Sequence, residues 1–177
     1  MKLSNLLSEK RPAILERWFD VVLETYPADT KNFLQKQNNQ FANPVGHTIH
    51  QGMESILNGL LSGSDLQEFS TPLDNIIRIR AVQDIAASQA VAFILSLKKL
   101  IREELEKSQR MDSFIKELSL LEDKIDTLVL MSFDIYMQCR EKIYDLKANE
   151  TKRLTYRLLQ RANLVCEVEE PGPQQND

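Results

Sequence analysis

Few side chains in this chain stand in patterns that could do chemistry. His47, His50 and Glu54 follow one another at spacings of three and four, which places all three on one face of a helix. Such a face could offer three metal ligands, or a single imidazole to a haem iron. The plainer reading is a pair of core-edge imidazoles held by hydrogen bonds. A di-iron bundle would need repeated Glu-x-x-His pairs, and no Glu lies three residues before either histidine. Cys139 sits among apolar residues, as a buried and inert thiol would, and Cys166 adjoins an acidic tail that disfavours a thiolate. No nucleophile elbow, P-loop or dinucleotide-binding glycine pattern occurs. The residues carry no catalytic set; the expectation is a protein that is not an enzyme, with no resident metal or cofactor.

The richest polar cluster is Arg78-Ile79-Arg80-Ala81-Val82-Gln83-Asp84, with Ser88 close behind. Two arginines and a glutamine at a helix–helix corner could clamp an anionic ligand. They could equally pair with Asp84, Asp74 or a distant carboxylate. Trp18, the single tryptophan, is either a core anchor or the wall of a small pocket. The candidate ligand site is Trp18, Arg78, Arg80 and Gln83.

Helices must position these groups. Leu3, Leu6 and Leu7, then Ile14, Leu15, Trp18, Phe19, Val22 and Leu23, recur at helical spacing. Pro12 between the two sets predicts a kink or a fresh helix start, and Tyr26-Pro27 a stop. A short helix is expected from about Asp29 to Asn38. Asn43-Pro44 reads as cap and first turn of a helix that ends at Ser62-Gly63-Ser64, and Thr71-Pro72 repeats the device. Ile77-Arg78-Ile79-Arg80-Ala81 alternates like a strand, but a lone strand would have no partner, so helix is the expectation. Asp84 or Ser88 should cap the next helix, its front half buried and its charged back half, to about Lys107, emerging into water.

The longest pattern runs from Phe114 to about Leu164, with a central core helix over Ile125–Cys139. About 50 residues of helix would measure ~75 Å, whereas ~140 folded residues have a radius of gyration near ~14 Å. The helix should therefore break near Asn149 or project. The expected organisation is a globular bundle over 1–146, a helical extension over 147–166 and a disordered tail over 167–177. A narrow Leu stripe in the extension needs something to pack on, most simply a second copy. Lys152, Arg153, Leu154, Leu158 and Arg161 are the candidate partner-binding residues.

Composition agrees with this picture. Of 177 residues, 42% are hydrophobic and 27% charged, with 5 Gly and 6 Pro; such a chain forms a globular core from long helices. A net charge of -4 speaks against nucleic acid. The basic groups Lys98-Lys99-Arg102 and Lys152-Arg153-Arg157-Arg161 read as solvated helix faces. Two distant cysteines, a polar N-terminus and no apolar run of ~18 residues suggest a cytoplasmic protein without a membrane span.

Taken in order, Arg17-Trp18, Tyr26-Pro27, Asn43-Pro44-Val45-Gly46, Arg78 through Asp84, Ser88 through Phe93, and Lys98 resemble the N-terminal domain of RsbRD-type co-antagonists, the RsbR-like regulators of bacterial stress signalling. The resemblance spans roughly Ile14 to Tyr144. It implies an all-α sensory domain, globin-like without haem, that dimerises and signals through a C-terminal helix to a STAS domain. It supplies no catalytic residues. After Leu164 there is no room for a STAS domain, so the phospho-accepting output is expected to be absent. Free-standing proteins of this type also imply a protein partner, a signalling or redox-complex component, with the segment from Glu150 to Leu164 as docking helix.

Overall fold

The computed structural model describes residues 2–36, 41–162 and 164. Among these the chain is all-α, with six helices, two 3-10 turns and no strand. The helices are α1 (Leu3–Leu23), α2 (Ala28–Lys36), α3 (Pro44–Ser62), α4 (Ser70–Val82), α5 (Ala87–Lys107) and α6 (Ile115–Arg161), with 3-10 turns at Leu66–Phe69 and Met111–Phe114. The chain divides into two units, Met1–Arg140 and Glu141–Asp177. The expected tail at 167–177 and Cys166 lie outside the described residues.

In the first unit α1 packs on α3 and α5, and α4 packs on α3 and α5. The core lies between them, with Trp18, Ile49, Met53, Ile56, Ile76, Ile77, Ile94 and Leu97 all but removed from solvent. Pro12 is exposed inside an unbroken α1, so no fresh helix starts there. On the water side the carbonyl that loses its N–H partner to proline remains accessible to solvent, and the apolar residues on either side stay on one buried face.

Helix α3 starts where Asn43-Pro44 predicts. The Asn43 side chain accepts the Gly46 N–H at 2.8 Å and Pro44 takes the first turn. Gly63, at φ 82°, closes the helix in the left-handed region. Helix α4 departs from the Thr71-Pro72 expectation. It begins at Ser70 without a side-chain cap, because the preceding 3-10 turn already runs into it, and Glu68 accepts the Asp65 N–H at 3.2 Å.

At the end of α4, Ile85 N donates to Arg80 O and Asp84 N to Ala81 O. This is a Schellman closure, with Asp84 at φ 61° in the place glycine usually holds. Asp84 is thus the stop of α4. Neither it nor Ser88 caps α5, whose cap position is Ala86. The back half of α5 also stays in the core, with Ile101 and Leu105 buried. Its charges are matched instead of solvated alone: Glu103 and Glu104 pair with Arg17 of α1, and Arg102 pairs with Glu122 of α6 at 2.6 Å.

Helix α6 has 47 residues and includes Asn149, so the expected break there does not occur. Its early part is less enclosed than a central core helix. Leu118, Leu121, Ile125, Leu128 and Tyr136 are buried, while Leu130, Phe133 and Met137 are exposed. The apolar residues between Ile125 and Cys139 surround the helix, and only one face meets the rest of the unit.

Candidate functional site

The helical period of α4 decides which arginine enters the core. Leu73, Ile76, Ile77, Arg80 and Ala81 are its buried positions, spaced as a single helix face. Arg80 therefore continues an apolar stripe and is 0% exposed. Arg78, two residues earlier, points outward and donates from Nε to Asp74 at 2.6 Å.

Around Arg80 the walls are aromatic. Its guanidinium carbon lies 5.6 Å from the Phe93 ring centre and 5.9 Å from that of Tyr26, within cation–π range. Trp18 stacks on the same Phe93, with ring centres 5.8 Å apart, and donates from Nε1 to the Phe93 carbonyl at 2.6 Å. The Tyr26 hydroxyl donates to Gln83 Oε1 at 2.7 Å. Trp18, Arg80 and Gln83 thus share one chain of contacts through Phe93 and Tyr26, whereas Arg78 belongs to the surface.

The polar accounting of Arg80 is incomplete. Nη2 donates to the Gln89 carbonyl at 2.9 Å and to Thr25 Oγ1 at 3.3 Å. Nε and Nη1 meet no acceptor among the described residues, which leaves three of the five guanidinium N–H groups without one. The carboxylates expected from the sequence are engaged elsewhere: Asp74 holds Arg78, and Asp84 accepts from Arg140 at 2.6 Å. Burial lowers the pKa of Arg80, only partly opposed by Tyr26. Burial raises that of the Tyr26 hydroxyl, against the pull of the Arg80 charge.

The corner carrying these groups is latched from α6. Tyr136 donates its hydroxyl to the Ile85 carbonyl at 2.7 Å, and Arg140 donates to the Ala81 carbonyl at 3.1 Å as well as to Asp84. Reading the sequence missed Phe93, Tyr26, Thr25 and Gln89. Tyr26 registered as a helix stop, and Tyr26, Gln89 and Phe93 as parts of the motifs that carry the family resemblance, but none as a neighbour of Arg80; no local pattern marks Thr25.

The histidines lie apart from this corner. His47 and His50 are half-buried on α3, and His50 meets Phe19 edge-on at 5.2 Å. Among the described residues no three His, Cys, Asp or Glu side chains gather into a metal-holding group.

In the second unit the helix residues Lys152, Arg153, Leu154, Leu158 and Arg161 are all exposed. Residues 151–161 hold four basic side chains and no acidic one, and no ion pair joins any of the four to a carboxylate among the described residues.

No described helix is long and apolar enough to cross a membrane. Neither a curated protein nor a solved structure matches the chain. A family does: the one described as the RsbT co-antagonist protein rsbRD N-terminal domain matches residues 12–151, a slightly longer span than the sequence motifs cover. That family is one of regulatory sensory domains in stress-response signalling and is not a known enzyme family. The buried aromatic–arginine corner and the helical bundle that carries it are therefore parts of a signalling module, and the chain belongs to the RsbRD N-terminal domain family.

Proposed function

We propose that the chain is a cytoplasmic sensory or adaptor module that dimerises and docks a protein partner through the helix of its second unit. A small-ligand pocket beside Trp18, Arg80 and Gln83 takes up the signal, within a non-haem, globin-like bundle. The observation that carries the reading is the state of that helix. Leu154 and Leu158 are 51% and 64% exposed, one turn apart on one face, beside arginines at 153, 157 and 161. A helix segment with a narrow apolar stripe exposed to water draws little stability from tertiary packing. It gains stability by laying the stripe against another helix. The basic residues flanking the stripe favour a partner surface rich in carboxylates.

Light scattering after size-exclusion chromatography tests the dimer. The full chain should elute with twice its mass of 20.4 kDa, and the double variant Leu154→Glu, Leu158→Glu should elute as a monomer. A monomeric full chain, or a variant that remains dimeric, would refute assembly through this helix.

A further inference from the structure

We infer that Arg80 is the receptor for a small monovalent anion, bound inside the first unit between the end of α1 and the α4–α5 corner. The inference rests on the ligand-pocket reading above and names the chemistry of the ligand.

A guanidinium withdrawn from water is ordinarily matched by a carboxylate. Here it is 0% exposed, and two of its three nitrogens, Nε and Nη1, meet no acceptor among the described residues. Unlike a lysine, Arg80 cannot relieve this by releasing its proton. The aromatic faces of Tyr26 and Phe93 offset part of the charge, and the Tyr26 hydroxyl also interacts with the guanidinium, but Nε and Nη1 gain no acceptor within hydrogen-bond distance among the described residues. A neutral carbonyl compound would satisfy the hydrogen bonds and leave the charge. An anion does both.

The surroundings set size and valence. Arg80 and Phe93 are buried, and a close-packed interior admits few heavy atoms. A single buried positive charge balances one negative charge; a second would be left unpaired in a medium of low dielectric. Entry is short, because Thr25, Gln83 and Gln89 around Arg80 are all exposed. An anion on Nε or Nη1 would tie this corner to the end of α1. The same corner carries the carbonyls of Ile85 and Ala81 that Tyr136 and Arg140 hold, so occupancy bears directly on the attachment of α6 within the unit.

The test titrates the full chain with sodium formate, nitrate or chloride, with sodium gluconate, too bulky to enter, holding ionic strength constant. Acetamide serves as the neutral probe. Emission of Trp18, the single tryptophan, and the thermal midpoint are read together. At least one small anion should change the emission saturably and raise the midpoint with its concentration. Arg80→Met should weaken that response by about tenfold or more, and Arg80→Lys, which keeps the charge and loses the fork, should fall between. Responses that never saturate, or that are the same in Arg80→Met, overturn the inference. Saturable, Arg80-dependent binding of acetamide with none of the anions sinks the anion class and spares the pocket. No binding by any probe removes both readings.

Discussion

Replacing Arg80 by Met should stabilise the protein in buffer free of small anions, although it deletes a fully buried side chain. Met keeps the apolar stem and fills irregular space easily; what it removes is a desolvated charge. The effective cost of burying an ion is several kcal/mol. Against it stand a hydrogen bond to the Gln89 carbonyl at 2.9 Å and a long one to Thr25 at 3.3 Å, together about 2–3 kcal/mol for a charged donor. Two aromatic contacts contribute about 1–2 kcal/mol, and the nearby C-terminal end of α1 adds a few tenths. Compensation of about 3–5 kcal/mol against several leaves a balance of about 1 kcal/mol in favour of Met, or roughly 2–4 °C in midpoint for a chain of this size. Urea unfolding followed by circular dichroism measures it, with an unchanged m-value showing that the unfolded state has not altered. A loss of about 1 kcal/mol or more at unchanged m would refute the reasoning, because it would mean that the aromatic rings and helix dipoles already compensate the charge. The sensor reading and the stability reading then meet in one variant: residues kept at a cost to stability are those that function retains.

Three further outcomes follow from particular contacts. Asn43, 1% exposed, accepts from Gly46 N and donates from Nδ2 to the Leu34 carbonyl at 2.9 Å, so Asn43→Ala should lose about 2–3 kcal/mol in thermal or urea unfolding. A Cβ on Gly46 would lie 2.2 Å from Asn43 Nδ2; Gly46→Ala should therefore disrupt the same cap and cost little more once Asn43 is Ala, a non-additivity that a double-mutant cycle reads directly. The pKa values of Glu103, Glu104 and Glu122 are lowered, chiefly by hydrogen bonds from Arg17, Lys107 and Arg102 respectively. Folded values below the unfolded ones, near ~4.3 for Glu, mean that the contribution is full above the unfolded value and is lost as pH falls through the folded values. The midpoint should decline between about pH 5 and pH 3, less steeply in Arg17→Met or at high salt, where half-exposed pairs are screened; a decline of equal slope in Arg17→Met would assign the acid sensitivity to other groups.

Much of this molecule is legible in local chemistry. Asn43-Pro44 and Gly63 bound α3 because capping and left-handed backbone are properties of a few adjacent residues. Ile14, Leu15, Trp18 and Val22 announce the buried face of α1 because the helical period reports burial. Even the division of labour between Arg78 and Arg80 was available in principle, since Arg80 falls seven residues after Leu73 on the core stripe of α4. Its strand-like alternation hid that period.

Other features depend on residues far apart in the chain, and tertiary structure alone decided them. Pro12 lies within a continuous helix because its side faces water. Glu104, near the end of α5, is buried beside Ile101 and Leu105 with Arg17, 87 residues away, as one of its counter-charges. The unmatched guanidinium is the clearest case. No spacing along the chain says that Asp74 goes to Arg78 and Asp84 to Arg140, or that Phe93 and Tyr26 close around Arg80. Sequence determined the all-α class and the stripes that α1 and α3 bury, because those are short-range effects of period and capping. Only the packing of α1, α4 and α5 determined that a positive charge would sit among aromatic rings with three N–H groups unmatched among the described residues, because charge compensation is settled by which side chains meet in space.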